Sequence, residues 1–574
     1  MTAFMPPLNT FDELLQEAHH LHRGGRFEDA ARFYRELLRL KPNNAALTGL
    51  FGLLRREQGR REEAERLLDK ACRLDPANVS NHVYRGLTLN ELGRAKDAIV
   101  AFEQAYALDP TYPYVLSELW QASLSICDWR HFERYVGAMG DTARNGKAVM
   151  EPYALLLATD DAADLLACAR TRVADSIKQN QHLLPRSPYV HAPAQGRGKI
   201  RVAYRSADFQ DHPIAHLIGE LIEQHDRSRF EIIALSMGQS DGSAYRKRLE
   251  AAFDRFIDVL DWPINEISQK VLSLDIDILV DLMGHTRFGL MHYLASRPAK
   301  IQVNYLGYPG STGADFVDYI VADPFVIPAD QDAFFSEKAV RLPDSYQVND
   351  RGRPSGDPSK SRAQCGLPEN AFVFCSFNNA FKLTPLMFDV WMRLLRAVPD
   401  SVLWLLDQGE AAAGNLRKEA IQRGVDPGRL VFAPKMPLAD HMARYRMADL
   451  SLDTLPYNAH TTASDSLWAG VPIITCPGRS FAARVCGSLL LAAGLPELIV
   501  RSLDEYEALA LALAHDRERL AALRRKIVAG RDRMPLFDTP RYCAHIEKAY
   551  ETMYEIWLAG EPPRSFAVEP MAAD

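Results

Sequence analysis

The chain has 574 residues, of which 47% are hydrophobic and 25% are charged, and its formal net charge is −7. This length allows several domains, and the composition is that of an ordinary globular protein. The mildly acidic balance excludes a dominant role in nucleic-acid binding, because that role needs a basic surface.

The eight cysteines are scattered along the chain, and none of them forms a CxxC pair. This spacing gives no support for a zinc ribbon and is typical of a reducing compartment. The chain shows no cationic segment followed by an apolar stretch at its beginning, and no run of about 18 apolar residues. We therefore expect a cytoplasmic protein that has neither a membrane nor a nucleic acid as its partner.

A 34-residue repeat fills the first quarter of the chain. The recurring positions are Gly25, Gly59 and Gly93, each followed by an arginine, then Ala30, Ala64 and Ala98, then Leu40, Leu74 and Leu108, then Pro42, Pro76 and Pro110. Small residues let two helices pack closely, and a proline follows the second helix, which it cannot continue. This is the tetratricopeptide pattern, and we predict such repeats over residues 10–145.

Three of these repeats are clear, and a fourth is degenerate because Cys127 stands where glycine is expected. Stacked repeats present a concave groove, in which we expect a polypeptide partner to bind. The alternative is that the repeats only stabilise the chain or join two copies. The oligomeric state stays open.

The pattern changes after a helical junction and linker over residues 146–199. Short apolar runs then alternate with amphipathic stretches, which predicts parallel sheets with crossover helices. The first set of runs covers 200–208, 230–238, 277–284, 300–307 and 318–323, and the second covers 372–378, 401–407, 429–434, 448–454 and 472–478.

The fold class that we predict is α/β with an all-α N-terminal region. A tetratricopeptide superhelix precedes a double Rossmann-like domain with an N-terminal catalytic lobe at 200–368 and a C-terminal nucleotide-binding lobe at 369–502. Helices at 503–560 cross back to brace the lobes, and residues 561–574 form a tail. The sequence contains neither GxGxxG after the first strand nor GxxxxGK[ST], which argues against dehydrogenases and ATPases and favours nucleotide-sugar transferases.

The most informative segment is NAHTTASDSLWAGVP, residues 458–472. His460, Thr461 and Thr462 follow a predicted strand and precede a helix, whose N-terminus favours phosphate. Asp465 lies one turn further on, where its carboxylate could accept hydrogen bonds from both ribose hydroxyls. The alternative is that Thr462 caps the helix and Asp465 stabilises the helix dipole.

Three other segments could complete such a site. Lys382 follows the strand at 372–378 and could neutralise a leaving diphosphate, although a single lysine is more often a solvated charge. His212 follows the first strand and could face the cleft as a sugar contact or a proton acceptor. Its spacing from His216 gives no HExxH metal motif. Gly307 lies in a turn-rich loop in which the backbone could approach a sugar.

These segments together resemble the O-linked N-acetylglucosamine transferase family, through HTTxxDxLWAGVP, FNNxxK, DFxxHPxxH and LGYPGSTG in that family's order and through the preceding repeats. The resemblance covers roughly residues 10–555. It implies a two-lobed GT-B fold and an enzyme that moves N-acetylglucosamine from UDP-N-acetylglucosamine to serine or threonine hydroxyls of protein. It also implies inversion of the anomeric centre, with no metal and no cofactor.

The resemblance also implies roles for individual residues. Lys382 would contact the diphosphate, Thr461 and Thr462 would hold phosphate oxygens, His460 would stack near the uracil or ribose, and Asp465 would bind the ribose. His441 matches a histidine near the uridine, Asn379 stands where the family usually has glutamine, His285 and Gly307 would line the sugar pocket, and His212 would act as general base or position the sugar.

Some positions depart from the family pattern. Leu438 occupies the place of a nucleotide-binding lysine, for which Lys435 could compensate, and Tyr457 replaces a cysteine. These changes leave the donor open, so a GDP-fucose-dependent protein O-fucosyltransferase is one alternative. A repeat scaffold with a weakly active nucleotide-sugar-binding domain is the other.

Overall fold

The structure is a computed structural model that describes residues 10–191, 198–354, 356–357 and 359–571. The end of the predicted linker, at 192–197, and the last three residues of the predicted tail lie outside the described residues. The chain forms two compact units. The first contains the residues up to Tyr135 together with Lys147–Met150, and the second contains Val136–Gly146 and all residues from Glu151 onwards.

Paired helices build the first unit, as the repeat predicts. They are α1 (Phe11–Arg23), α2 (Phe27–Leu40), α3 (Ala45–Glu57), α4 (Arg61–Leu74), α5 (Val79–Glu91), α6 (Ala95–Leu108) and α7 (Val115–Ser125), and α8 (Phe132–Asn145) continues into the second unit. Gly25, Gly59 and Gly93 turn between the paired helices with φ of 72°, 74° and 73°. Cys127, at the fourth position of this series, adopts φ of 50°, so the left-handed turn persists without glycine.

The second unit contains two parallel sheets. The first has the strand order β13-β7-β6-β5-β4-β1-β2-β3. Its strands are β1 (Ile200–Ser206), β2 (Phe230–Ser236), β3 (Arg255–Asp258), β4 (Ile278–Asp281), β5 (Ile301–Asn304), β6 (Tyr319–Ala322), β7 (Lys338–Arg341) and β13 (Phe566–Ala567). The apolar runs predict five of these strands. The charged, partly exposed sequence RFID hides β3, the lysine and arginine at the ends of KAVR hide β7, and β13 has only two residues.

The second sheet has the order β10-β9-β8-β11-β12, and all five of its strands were predicted. They are β8 (Phe372–Ser376), β9 (Ser401–Leu406), β10 (Leu430–Ala433), β11 (Leu450–Leu452) and β12 (Ile473–Ile474). Nearly every residue in them is buried, which explains the continuous apolar runs in the sequence.

Helices link the strands and cover the sheets. They are α9 (Pro152–Leu156), α10 (Ala162–Asn180), α11 (Pro213–Gln224), α12 (Ala244–Ala252), α13 (Ile264–Leu274), α14 (Met291–Leu294), α15 (Pro385–Ala397), α16 (Glu410–Gln422), α17 (Leu438–Tyr445), α18 (Thr461–Trp468), α19 (Val485–Ala492), α20 (Leu503–His515), α21 (Arg517–Gly530) and α22 (Thr539–Leu558). Helices α11, α12 and α22 cover one face of the first sheet, and α10, α13 and α14 cover the other.

Helix α22 returns to the first sheet, as predicted for the C-terminal helices. Its Tyr550 hydroxyl lies 2.9 Å from the Tyr204 hydroxyl of β1, and its Tyr542 hydroxyl lies 2.7 Å from that of Tyr305. All four rings are buried in one apolar core. In the part of the chain that the structure describes, no helix combines the length and the apolar character that a membrane crossing requires.

Candidate functional site

Two strand-to-helix junctions of the second sheet lie side by side, because β8 and β11 are hydrogen-bonded neighbours. After β8, the chain passes through a short 3₁₀ turn, Ala380–Lys382, and enters α15 at Pro385. After β11, the loop 453–460 leads into α18 at Thr461. The carboxyl ends of parallel strands are where open α/β sheets bind ligands.

Lys382 joins the two junctions. Its Nζ donates a hydrogen bond of 2.8 Å to the carbonyl oxygen of Asn458 and lies 4.1 Å from the centre of the Tyr457 ring. Burial lowers the pKa of Lys382 to about 7, against the opposing charge of Asp453. The lysine is therefore held by the loop that leads to the threonine pair.

Thr462 makes a second link between the junctions. Its Oγ1 donates a hydrogen bond of 2.8 Å to Oδ1 of Asn378, which follows β8. Helix α18 begins at Thr461, and His460 is the N-cap residue and makes no capping hydrogen bond through its side chain. The alternative in which Thr462 is the helix cap is therefore wrong. The first amides of α18 point out of the helix end, where they suit an anion.

His460 precedes α18 and packs on the same loop. Its ring stacks on Tyr457 at 4.8 Å between centroids, and its Nε2 donates to the carbonyl of Ala482 at 3.1 Å. Burial and the nearby Lys382 hold the pKa of His460 well below its ordinary value. The ring is therefore neutral, and its Nδ1 carries a lone pair.

Asp465 is buried in α18, beyond the first turn. Its Oδ1 accepts a hydrogen bond of 2.5 Å from Nη1 of Arg353. Burial raises the pKa of Asp465, and Arg353 opposes this shift. One of its two carboxylate oxygens is thus already engaged by an arginine from the segment between the sheets.

His441 and Asn379 lie in the same lobe and differ in exposure. His441 packs edge-on against Phe377 at 5.1 Å, and its Nδ1 accepts a hydrogen bond of 3.0 Å from Nε of Arg444. Burial and the charge of Arg444 lower the pKa of His441 to about 3, so the ring is neutral. Asn379 is exposed and accepts a long hydrogen bond of 3.4 Å from Gln408.

His212 lies at the carboxyl end of the first sheet and caps α11. Its Nδ1 accepts a hydrogen bond of 3.3 Å from the backbone N–H of Ile214 and lies 3.7 Å from Oδ2 of Asp208. Burial lowers the pKa of His212, and Asp208 opposes this shift. Because Nδ1 is an acceptor, the proton of the neutral ring lies on Nε2, which is therefore a hydrogen-bond donor.

His285 and Gly307 hold the loop after β5 against the end of β4. His285 is buried, and its Nε2 donates to the carbonyl of Thr312 at 2.7 Å. Burial lowers its pKa to about 4. A Cβ atom on Gly307 would lie 1.8 Å from the carbonyl oxygen of Leu282, so this glycine permits a close backbone contact within the chain. Their place in a sugar pocket stays a prediction.

The glycosyl transferase family 41 model matches residues 126–355 and 353–546, and a tetratricopeptide repeat model matches residues 50–113. The chain belongs to glycosyl transferase family 41. Among its relatives is the probable UDP-N-acetylglucosamine–peptide N-acetylglucosaminyltransferase SEC of Arabidopsis thaliana, 38% identical over 379 residues, which are 65% of this chain and 39% of the relative.

The UDP-N-acetylglucosamine–peptide N-acetylglucosaminyltransferase of Caenorhabditis elegans is 27% identical over 558 residues, covering 76% of this chain and 48% of the relative. The chain thus spans less than half the length of either relative. A solved O-GlcNAc transferase structure from Thermobaculum terrenum superposes with a TM-score of 0.67 at 29% identity, over 97% of this chain and 99% of that one. This similarity confirms the predicted fold class.

The structure adds three residues to the candidate site that the sequence alone does not indicate. Asn378 binds Thr462, Asn458 supplies the carbonyl under Lys382, and Arg353 holds Asp465. Asn378 and Asn458 lie within segments that the motifs mark, so their neighbours gave a signal. Arg353 lies in a loop between the sheets, where no motif identifies it.

One His/Cys/Glu group of the described residues could hold a metal, and it lies elsewhere in the family 41 fold. His225, Cys543 and Glu547 have their ligand atoms within 4.8 Å of one another, in the core beneath α22. His225 Nδ1 already donates to Glu547 at 2.9 Å, and the Tyr204 hydroxyl lies 2.9 Å from its Nε2. Hydrogen bonding within the core accounts for this group.

Proposed function

We propose that this chain is an inverting, metal-independent glycosyltransferase that moves N-acetylglucosamine from UDP-N-acetylglucosamine to serine or threonine hydroxyls of protein. The observation that carries the proposal is the junction of Lys382 with the loop before α18, in a chain of family 41. The printed names of the relatives, which are peptide N-acetylglucosaminyltransferases, support the choice of donor.

The leaving group of this reaction is uridine diphosphate, and Lys382 and the N-terminus of α18 stabilise its charge. The depressed pKa of Lys382 reflects an ammonium that has lost water. A diphosphate placed beside it restores a favourable partner and raises the pKa, so the lysine is fully charged when the bond breaks. The helix amides at Thr461 and Thr462 add fixed dipoles.

The acceptor hydroxyl attacks the anomeric carbon on the face opposite to the diphosphate, so one carbon–oxygen bond forms as the other breaks. The hydroxyl proton passes to an oxygen of the departing diphosphate. In this scheme His212 donates from Nε2 to a sugar or acceptor oxygen, because its Nδ1 is already occupied by the amide of Ile214. His212 is therefore a positioning group in the proposed reaction and not the base. His441 and Asn379 face the nucleoside. Asp465 binds the ribose through Oδ2, the carboxylate oxygen that does not accept the hydrogen bond from Arg353.

Partners and compartment follow from the same proposal. The repeats bind the polypeptide acceptor along their concave groove. The eight cysteines lie in the described residues and form no disulfide there, and seven of them are buried, which supports a reducing compartment such as the cytoplasm.

Substitution of Lys382 tests the proposal. Loss of one preorganised donor costs roughly 2.7–4 kcal/mol in the transition state, so we expect Lys382→Ala to lower turnover by about 100-fold or more. Turnover is measured as radiolabelled sugar transfer to protein, and folding is checked by circular dichroism. The matched control is Lys418→Ala, which removes an exposed lysine from α16 of the same lobe. Near-normal turnover in Lys382→Ala would refute its role.

The donor and the metal are tested on the unaltered chain. Calorimetry with UDP-N-acetylglucosamine, UDP, GDP-fucose and GDP should give binding only to the uridine compounds. Excess EDTA should leave transfer unchanged. Tighter binding of GDP-fucose than of UDP-N-acetylglucosamine would show that GDP-fucose is the donor. Loss of transfer in EDTA, with recovery on addition of Mg²⁺ or Mn²⁺, would contradict metal independence.

A further inference from the structure

Asp453 lies at the carboxyl end of β11, where the loop that leads to α18 begins, and is 1% exposed. Its Oδ1 accepts hydrogen bonds from the backbone N–H groups of Thr454 at 2.7 Å and of Ala459 at 2.6 Å. Its Oδ2 accepts a hydrogen bond of 2.6 Å from the hydroxyl of Thr475. One buried carboxylate therefore binds both ends of the loop 454–459.

This loop makes both contacts that orient Lys382, through the carbonyl of Asn458 and the ring of Tyr457. Two more bonds close the loop on itself. Asn458 Nδ2 donates to the carbonyl of Thr454 at 2.8 Å, and Thr454 Oγ1 donates to the carbonyl of Tyr457 at 2.7 Å. The position of the Lys382 ammonium thus depends on a loop whose two ends meet at Asp453.

Asp453 also acts on Lys382 through its charge, since it raises the pKa of the lysine against burial. Burial raises the pKa of Asp453 itself to about 6, so the carboxylate is mainly ionised above neutral pH. The other titratable groups that face the pair are Cys476, Cys486 of α19, Tyr506 of α20, Tyr457 and His460. Burial keeps all five neutral, so among the described residues around this junction Asp453 supplies the negative charge.

We propose that Asp453 is a positioning residue for the transferase: it closes the loop 454–459 and keeps Lys382 charged and aimed at the leaving diphosphate. The inference rests on the proposed function for its chemistry. The electrostatic coupling of Asp453 to Lys382 can be measured from the affinity for UDP alone, without sugar transfer.

The test is Asp453→Asn, because an asparagine can still accept from the two loop amides and donate to Thr475 while it removes the charge. The matched control is Asp449→Asn at the opposite end of β11. Asp449 is also buried and accepts from the N–H of Val373 and from Arg362, each at 2.8 Å. Thr475→Val is a second variant, since it removes one hydrogen bond to Asp453 and keeps the volume of the side chain.

UDP affinity and sugar transfer are measured between about pH 6 and pH 9 on the full chain. We expect the alkaline fall in both to move about one pH unit lower in Asp453→Asn, because an opposite charge close to a lysine is worth about that shift. Affinity at pH 8 then falls about tenfold. Thr475→Val keeps the charge of Asp453, so it shifts the fall less than Asp453→Asn does, and Asp449→Asn leaves it in place.

An unchanged alkaline fall in Asp453→Asn, or an equal shift in Asp449→Asn, overturns the inference, because a merely structural role predicts either of these results. If UDP binding shows the expected pH shift but no sugar is transferred, the role of Asp453 is supported and the proposed function is contradicted. In the Lys382→Ala background, Asp453→Asn should cause no further shift in UDP affinity with pH, and a persisting shift would place the effect of Asp453 on another group.

Discussion

At the scale of single residues, the neutral state of the histidines decides what they can do. His212, His441 and His460 each have a ring nitrogen committed to a partner in the chain, and burial lowers the pKa of each. His460 donates from Nε2 and keeps the lone pair of its Nδ1, whereas His212 and His441 each accept a hydrogen bond at Nδ1, so their other ring nitrogen carries the proton and is a donor. This favours a positioning role for His212.

Two substitutions at His212 separate positioning from base catalysis. Asparagine can accept from the amide of Ile214 and donate a hydrogen bond, so we expect His212→Asn to retain most of kcat/KM. We expect His212→Ala to lose about fivefold, as for one hydrogen bond worth roughly 1 kcal/mol. A general base would instead give losses of about 100-fold or more in both variants. Sugar transfer is measured at steady state, and equally large losses of kcat/KM in both variants would show that His212 acts as the general base.

The sequence marks Lys382, His460 and the threonine pair as candidates because each follows a strand and precedes a helix, and the structure brings them to adjacent junctions. The sequence could not identify Arg353 as the partner of Asp465, since their contact joins segments 112 residues apart. Nor could it show that the space beside Gly307 is filled by the carbonyl of Leu282. Such pairings arise only when distant segments pack together.

At the scale of elements, burial explains which ones the sequence predicts. The apolar strands of both sheets and the repeat helices were predicted, whereas β3 and β7 were missed because charged residues interrupt their pattern. Glycines within the helices show the same dependence on surroundings. A Cβ atom on Gly86 of α5 would lie 2.5 Å from Cε1 of Phe102, whereas one on Gly137 of α8 would meet no atom within 4 Å.

The same substitution should therefore have opposite effects at these two glycines. We expect Gly86→Ala to destabilise the repeat unit by about 1–3 kcal/mol, because Phe102 is fully buried and must shift. We expect Gly137→Ala to stabilise its helix by up to about 1 kcal/mol, because alanine is the better helix former and the site is exposed. Thermal denaturation measures both, and a stabilising Gly86→Ala would contradict the packing between α5 and α6.

At the scale of the whole molecule, the two compact units separate the predicted acceptor groove from the proposed site of sugar transfer. The repeat helices carry no residue of the proposed diphosphate site, which lies wholly in the second unit. Binding of the acceptor and chemistry should therefore respond separately to changes in the two units.

Removal of α1–α4, by starting the chain at Pro76, tests this division. We expect transfer to folded protein acceptors to fall at least tenfold because the groove is shortened, while hydrolysis of UDP-N-acetylglucosamine and transfer to a short peptide stay near the full-length rates. Radiolabel incorporation into the two acceptors gives the comparison. Equal transfer to the protein acceptor would show that the first two repeats do not hold it.

The return of α22 to the first sheet also has a consequence for synthesis. Tyr204 and Tyr550 meet in one core although 346 residues separate them along the chain. While the ribosome makes the intervening residues, the face of the first sheet that α22 later covers has no cover from it. The nascent lobe therefore exposes this apolar face until α22 emerges, and exposed apolar surface of this kind is prone to aggregate.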